Sequence, residues 1–282
     1  MKTRSHKFSK LMVKILLYTV LGCGLLVWMF PFYWILRTAF MKYEQILAYP
    51  PLWIPKPPII TNFTEGLKIL PFGRFYINTI FIVVVCLIGT LFTSTLASYS
   101  FSRLRWPGRD KIFSIILTSM MLPSAVTLVP TFIGWSKVNG VNTYYPLTVP
   151  SWLGGGAFFI FLLRQFYLTI PREYDEAALV DGAGFFTIYW RIMLPMIRPA
   201  LISVAMFCFV NNWNDFMMPL VYLNDEKLYT ISLGLRSFMG MYNTDWGYMM
   251  AAATIAVLPV VIIFTIGQRY IIEGVVMVGI KG

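Results

Sequence analysis

The sequence predicts an all-α membrane protein with six transmembrane helices and with both termini in the cytoplasm. Of the 282 residues, 58% are hydrophobic and only 12% are charged, whereas charged residues make up about 25% of an ordinary soluble domain. Six long apolar runs are present, and Lys and Arg concentrate in three of the segments beside them. The distribution of these basic residues, which give a net charge of +11, therefore indicates how the chain is oriented in a membrane rather than nucleic-acid binding.

The orientation follows from where the basic residues lie. Lysines and arginines cluster before the first apolar run, after the second, and around residues 171–195, which separate the fourth run from the fifth. Because cytoplasmic segments of membrane proteins carry an excess of Lys and Arg, these three regions are predicted to be cytoplasmic. An even number of spans is then required, and six fit.

The first span, residues 15–36, has no charged side chain and would rise about 33 Å as a helix, enough to cross the hydrocarbon core. We interpret it as a retained span, because Arg37-Thr38-Ala39-Phe40 is a poor signal-peptide cleavage site. The outer loop that follows, residues 37–74, is rich in proline, which favours extended backbone. This loop forms either a packed cap or a surface that contacts a soluble partner.

Spans two to four are predicted at residues 76–102, 112–135 and 151–166. The second half of span two is rich in Thr, Ser and Ala, which predicts a close helix–helix seam. Span three contains Pro123 and Pro130, and the kinks that they impose either line a cavity or serve packing alone. Three consecutive glycines at 154–156 either permit a close helix contact or loosen the start of span four.

Span five, residues 200–221, contains the most costly residues to place in a membrane. A carboxylate near the centre of a bilayer costs about 2.5–3.5 kcal/mol on insertion scales, so it should face the bundle interior or a wet path. Our hypothesis is that the amides and the carboxylate of this cluster line or gate a path for a neutral polyol. The alternative is that they form hydrogen bonds between helices. The proposed path residues are Asn211, Trp213, Asn214 and Asp215.

An outer loop at residues 224–245 leads to span six, residues 246–268. No catalytic site or metal site is expected, because His6 is the only histidine and the three cysteines lie far apart inside apolar runs. The nucleotide-binding pattern G-x-x-x-x-G-K-[ST] is also missing from the sequence. Because this pattern is missing, ATP hydrolysis would need another chain. We also expect this chain to hold no cofactor.

Residues 171–195, which we call the coupling segment, predict a short helix, a turn and a second short helix. Glu173, Asp175 and Glu176 stand where a helix dipole favours negative charge. Asp181-Gly182-Ala183-Gly184 then breaks the helix, because glycine reaches positive φ without steric cost. In the second helix, the apolar residues recur at helical spacing and predict one apolar stripe: Phe185, Ile188, Tyr189 and Ile192.

The spacing within this segment resembles the EAA signature of membrane subunits of binding-protein-dependent ABC importers. The matching residues are Glu176-Ala177-Ala178, Gly182 and Ile192-x-Leu194-Pro195. The resemblance implies that the segment docks in a cleft on an ATPase subunit, with Glu176 as an anionic contact and Gly182 as the turn. Asp181 also belongs to the implied coupling residues. On local physics alone, Glu176 merely complements a helix N-terminus and Gly182 is an ordinary break. Because an exposed ion pair contributes only about 0.2–1 kcal/mol, apolar contacts should dominate docking.

The resemblance extends over nearly the whole chain and implies a type I permease fold in one membrane domain, 1–282, with a core of spans two to six at 75–268. The segment NNWNDFMMPL is similar to one in sugar-importing permeases, so the maltose-type carbohydrate-uptake branch is implied. The implied partners are a second permease subunit, two ATPase subunits that bind ATP and Mg²⁺, and an extracytoplasmic solute-binding protein that delivers a sugar or oligosaccharide. A C-terminal tail with Gly279, Lys281 and Gly282 is similar to one that approaches the ATPase dimer.

Other functions compete with this interpretation. A permease for a peptide or an osmolyte would share the coupling segment. A secondary transporter or channel would explain six spans and Asp215, but it usually shows repeat symmetry, which the sequence lacks. A membrane enzyme conflicts with the missing catalytic constellation. For the implied permease, the expected location is the inner membrane of a bacterial or archaeal cell.

Overall fold

A computed structural model describes residues 2–240 and 244–279, and it describes side chains for 10–240 and 244–270. The described chain is nearly all helical. The fifteen α-helices are α1 Lys2–Ala39, α2 Tyr43–Ile46, α3 Thr61–Ile69, α4 Phe72–Arg103, α5 Arg109–Ser119, α6 Ser124–Lys137, α7 Tyr145–Trp152, α8 Ala157–Thr169, α9 Glu173–Val180, α10 Phe185–Thr187, α11 Leu194–Met196, α12 Arg198–Trp213, α13 Met217–Tyr222, α14 Ile231–Arg236 and α15 Trp246–Gly279. A π-helical turn, Ile188–Met193, joins α10 to α11, and Glu226–Leu228 forms a 3₁₀ turn.

Within these described residues, four stretches are long and apolar enough to cross a membrane: Lys10–Ala39, Phe72–Arg103, Tyr145–Thr169 and Trp246–Tyr270. Two bent helix pairs bring the number to six if each pair forms one span. The pairs are Arg109–Ser119 with Ser124–Lys137, bent by 101°, and Phe185–Met196 with Arg198–Trp213, bent by 78°. The prediction of an all-α chain with several apolar spans is confirmed.

The described chain divides into two compact units, and the first contains residues 2–70 with 238–240 and 244–255. In this unit the Arg37 guanidinium is buried, lies 4.1 Å from the centre of the Trp34 ring and donates to the Leu52 carbonyl. The Asn62 amide donates to the carbonyls of Ala39 at 2.9 Å and Met41 at 2.8 Å. These contacts tie the end of α1 to the proline-rich segment and to α3, as expected of a packed cap.

The second unit contains residues 71–237 and 256–279 and is built around α4. The small-residue half of α4 is the predicted seam, and this prediction is confirmed, because Thr90, Ser94, Thr95 and Ser98 are all at most 2% exposed. Their hydroxyl groups remain satisfied locally. Ser94, for example, donates to the Thr90 carbonyl one turn earlier at 2.5 Å. Small side chains with internal hydrogen bonds let α7, α8 and α12 pack closely against α4.

The three-glycine turn between α7 and α8 makes the closest of these contacts. All three glycines have positive φ, and a Cβ at Gly155 would lie 2.8 Å from the Thr90 carbonyl oxygen and 3.0 Å from its Cα. On α4 itself, a Cβ at Gly89 would lie 2.7 Å from the Trp152 indole. The glycines therefore permit a close approach of backbone to backbone, which decides between the two interpretations that the sequence left open.

Span three breaks where the sequence predicts a kink, and span five differs from the continuous span that the sequence predicts. The bend in span three lies at Pro123. Before it, α5 ends in overlapping turns whose hydrogen bonds join residues three positions apart, and α6 begins after it. Pro130 lies within α6. Span five stops at Trp213 and resumes at Met217. Polar side chains occupy this interruption, where Asp215 accepts a hydrogen bond from the Met218 N–H at 3.2 Å. That local bond favours a new helix start over continuation of the old helix.

Candidate functional site

The coupling segment has the predicted helix, turn and helix. The first helix, α9, carries Glu173, Asp175 and Glu176 in its first turn, as its dipole favours. It ends at Asp181, after which Gly182 takes φ +80. The Gly182 N–H donates to the Leu179 carbonyl at 3.0 Å, and the Ala183 N–H donates to the Ala178 carbonyl at 2.9 Å. This pair of bonds is a Schellman motif, and it explains why a glycine stands at 182.

A hydrophobic core holds the coupling segment against α4 and α8. Ala178 reaches this core from α9, and Ile188, Tyr189 and Met193 reach it from the π-helical turn. Tyr189 is anchored further by a hydrogen bond of 2.8 Å between its hydroxyl and that of Thr95 on α4. Three members of the predicted stripe thus point mainly inward: Ile188 and Tyr189 are buried and Ile192 is half-buried, whereas Phe185 is exposed. The second helix therefore supports the segment with most of that stripe.

A different apolar surface is exposed on the segment. Leu179, Val180, Phe185 and Phe186, which we call the apolar patch, are between 46% and 88% exposed, and Val180 is the most exposed of them. Exposed aliphatic and aromatic side chains grouped around one turn are typical of an interaction site. Single-sequence reasoning missed Leu179, Val180 and Phe186 because α9 is too short to show a helical period. Their position beside the Gly182 turn was the available signal.

The predicted coupling residues fall into two groups. Glu176, Ala177, Asp181, Gly182 and Pro195 are exposed, whereas Ala178 is buried and Ile192 and Leu194 are half-buried. Glu176 makes no ion pair with any side chain that the structure describes. The exposed group is free to contact another chain, and the buried members fix the shape of the segment. Whether these residues contact an ATPase stays a prediction.

Arg103, at the end of α4, also contacts the coupling segment. Its guanidinium forms an ion pair of 3.0 Å with Asp175 on α9, and their side chains are 4% and 18% exposed. It also donates to the carbonyls of Tyr167 at 2.5 Å and Ile170 at 2.7 Å, where α8 ends. Burial raises the pKa of the Asp175 carboxyl above its usual range, against the opposing effect of Arg103. The sequence indicated Arg103 only as one of several cytoplasmic cations.

Of the four predicted path residues, Asn211 and Trp213 lie in the last turn of α12, and Asn214 and Asp215 lie in the interruption between α12 and α13. Asn211 and Asn214 are exposed, and Asp215 is half-buried. Trp213 is buried, donates from its indole to the Ala256 carbonyl at 3.0 Å, and stacks on Phe209 with ring centres 5.3 Å apart. The structure thus brings three polar side chains to a helix break, with the indole packed behind them. Their assignment to a path stays a prediction.

Two further predictions concern the C-terminal tail and metal binding. Gly279 is the last residue of α15, and Lys281 and Gly282 lie outside the described residues. No group of three or more potential metal ligands occurs among the residues whose placement is described.

Comparisons with known proteins agree on one family. Residues 89–276 match the family model described as binding-protein-dependent transport system inner membrane component. The arabinooligosaccharides transport system permease protein AraQ of Halalkalibacterium halodurans is 31% identical over 87% of this chain and 86% of its own. The sn-glycerol-3-phosphate transport system permease protein UgpE of Yersinia pestis is 30% identical over 92% of this chain and 94% of its own. A chain of a bacterial ABC transporter that imports the acidic polysaccharide alginate has the same fold, with 22% identity, a TM-score of 0.82 and coverage of 93% and 97%.

Proposed function

The chain belongs to the family of binding-protein-dependent transport system inner membrane components, and on that premise we propose that the solute it imports is a sugar or an oligosaccharide. The family confirms the prediction of a permease subunit of an ABC importer, which is a transport subunit and not an enzyme. ATP-independent transport and membrane catalysis are therefore set aside. The observation that carries the coupling role is the Schellman turn at Gly182, which presents the apolar patch on a well-packed base.

Two lines of support favour a sugar. The relatives named above transport arabinooligosaccharides in one case and sn-glycerol-3-phosphate in another, and both solutes are rich in oxygen atoms that form hydrogen bonds. In this chain, Asn211, Asn214 and Asp215 offer amide and carboxylate groups at a helix break. Amide and carboxylate groups beside an aromatic suit a polyol. A peptide or an osmolyte is the alternative solute.

The proposed assembly contains this chain, a second permease subunit, two ATPase subunits and an extracytoplasmic solute-binding protein. It lies in the inner membrane, and this chain contributes six spans with both termini in the cytoplasm. Support comes from the family description, which names both the inner membrane and a binding protein, and from the four to six spans that the length and composition of the described helices allow. The proposal retains the division into a first span, 15–36, and a core, 75–268. No cofactor is proposed for this chain, because the ATPase subunits would bind ATP and Mg²⁺.

In the proposed mechanism, closure of the ATPase dimer moves the coupling segment. The apolar patch supplies most of the docking free energy, because each large side chain that becomes buried contributes about 1.5–3 kcal/mol. Glu176 and Asp181 set the register, since an exposed ion pair contributes only about 0.2–1 kcal/mol. The C-terminal tail, including Gly279, Lys281 and Gly282, is proposed to approach the same dimer. The permease needs two arrangements close in energy, and the nucleotide state selects between them.

Gly182 provides the test of this function. Gly182→Val places a β-branched residue at φ +80, which costs about 1–2 kcal/mol. With a tag on this chain in solubilised native membranes, we expect roughly a tenfold loss of co-purified ATPase and no loss of the second permease. Gly182→Asn is the matched control, because asparagine tolerates this conformation and a Cβ at 182 meets no atom within 4 Å. If no ATPase co-purifies with the unmodified chain, the proposed assembly is wrong.

Asp215 tests the proposed path. Asp215→Ala removes both the carboxylate and the acceptor for the Met218 N–H, whereas Asp215→Asn keeps an acceptor and removes only the charge. We expect uptake to fall strongly in Asp215→Ala and less in Asp215→Asn, with the complex still assembled in both. The probe is the radiolabelled sugar that stabilises the cognate solute-binding protein in a thermal-shift screen. Normal uptake and assembly in Asp215→Ala would remove this residue from the path.

A further inference from the structure

We propose that Arg103 is a positioning residue that transmits the displacement of α9 to α4 and so connects the ATPase docking site with the solute path. This role depends on the ATP-driven import proposed above and adds to it the link through which the movement passes. Three observations support it: the contacts of the guanidinium, the extent of α4, and the contrast between Arg103 and the other cations nearby.

The guanidinium joins three helices at one point. It pairs with Asp175 at 3.0 Å in the first turn of α9, and it donates to the two carbonyls at the end of α8, those of Tyr167 and Ile170. Arginine suits this position because its planar fork of donors holds several acceptors in fixed directions, which a lysine ammonium does not. Since the Arg103 side chain is 4% exposed, water cannot readily take over any of these bonds. A shift of Asp175 should therefore draw the end of α4 with it.

The other end of α4 lies beside the proposed path. Tyr76 packs edge-on against the Trp213 indole, with ring centres 5.4 Å apart, next to the interruption that holds the polar residues. The 27 steps from Tyr76 to Arg103 correspond to about 40 Å of continuous helix. Between these ends, the buried small-residue seam packs α4 against its neighbours. One helix thus contacts both the coupling segment and the residues behind the polar break.

A comparison of Arg103 with Arg105 distinguishes a positioning role from the role of basic residues in orienting the chain in the membrane. A cation retained only for the positive-inside rule needs no partner and can stay in solvent. Arg105, two residues later, is exposed and makes no ion pair within the described part of the chain. The Arg103 side chain, in contrast, is only 4% exposed and is paired with Asp175 of the coupling segment. Arg105→Ala is therefore the matched control for loss of a positive charge.

The experiment measures nucleotide-driven movement at the path in the purified complex. The reporter is Asn211→Cys, combined with Cys23→Ser because Cys23 is exposed; Cys86 and Cys208 stay, since both are buried. The rate of maleimide labelling is compared without nucleotide and after trapping with ATP and vanadate, and the background without the reporter is subtracted. Co-purified ATPase and basal ATP hydrolysis are measured in the same samples.

In Arg103→Ala and Asp175→Ala we expect the ATPase to stay bound and active while most of the nucleotide-dependent change in labelling is lost. Arg103→Lys should recover part of the change, and Arg105→Ala should leave it intact. Should Arg103→Ala fail to fold, Asp175→Ala tests the link, because the Asp175 side chain is 18% exposed and its loss leaves the bonds to α8 in place. An unchanged labelling response in Asp175→Ala, or loss of the ATPase from that variant, would overturn the proposal. Absence of ATPase from the unmodified complex would instead refute the proposed function.

Discussion

Gly155→Ala should destabilise the chain more than Gly182→Ala or Gly134→Ala, each of which also adds one methyl group to a glycine. The new Cβ would lie 2.8 Å from the Thr90 carbonyl oxygen and 3.0 Å from its Cα, and backbone atoms of a packed helix cannot move aside. The backbone conformation, φ +67, adds a separate cost of about 1–2 kcal/mol for any L side chain. Overpacking adds about 1–3 kcal/mol to that cost. We therefore expect the free energy of unfolding to fall by about 2–5 kcal/mol in total.

Thermal unfolding of the detergent-purified chain measures this loss, and two other glycines serve as controls. Gly182→Ala isolates the conformational cost, because its φ is +80 and a Cβ there meets no atom within 4 Å. Gly134→Ala lies inside α6 with nothing within 4 Å, so it should be neutral or slightly stabilising. If Gly155→Ala unfolds at the same temperature as Gly182→Ala, the close contact with α4 does not contribute to stability.

Val180→Asp and Phe186→Asp should each abolish most of the ATPase binding that Glu176→Gln leaves largely intact. The two apolar side chains are 88% and 71% exposed, so they contribute little to the isolated chain and become buried only against a partner. Losing one of them costs about 1.5–3 kcal/mol of docking, or roughly 10-fold to 150-fold in affinity. Glu176→Gln removes an exposed charge that contributes about 0.2–1 kcal/mol, at most roughly fivefold.

Co-purification through a tag on this chain measures these differences. The second permease serves as the internal check that each variant is folded and assembled. Ile60→Asp is the matched control, because it places the same charge on a residue that is 66% exposed but lies outside the coupling segment. A larger loss of ATPase in Glu176→Gln than in Phe186→Asp would show that charge, and not apolar contact, dominates docking.

Local signals in the sequence predicted the parts of the site that depend on neighbouring residues. The acidic first turn of α9 and the break at Asp181 and Gly182 follow from the helix dipole and from the conformational freedom of glycine, and both are present. The small-residue seam of α4 was also predictable, because close packing requires small side chains wherever the partner helix lies. The permease family followed from fixed spacing within the coupling segment, and the family match confirms it.

Features that depend on distant residues were not predictable in this way. The Arg103 partner, Asp175, lies 72 positions away, so nothing in the local pattern separated Arg103 from neighbouring cations that only orient the chain. At the interruption of span five, the Asp215 side chain accepts a hydrogen bond from the Met218 N–H, and the run of residues around it gives no sign of this local bond. The inward direction of Ile188 and Tyr189 depends on a π-helical turn, which has no reliable signature in a single sequence.

That π-helical turn sets the rotational phase between the coupling segment and α12. Each residue of an ordinary helix advances the direction of the side chains by about 100°, and a π turn accommodates one residue more than an α turn. Removing one exposed residue there, such as Trp190, would convert the turn to α-helix and rotate everything that follows by about that angle. Ile197, Ala200 and Val204 would then leave the core. The length of this stretch is thus as constrained as its composition, so diverging members of the family should accept substitutions here far more readily than single-residue deletions.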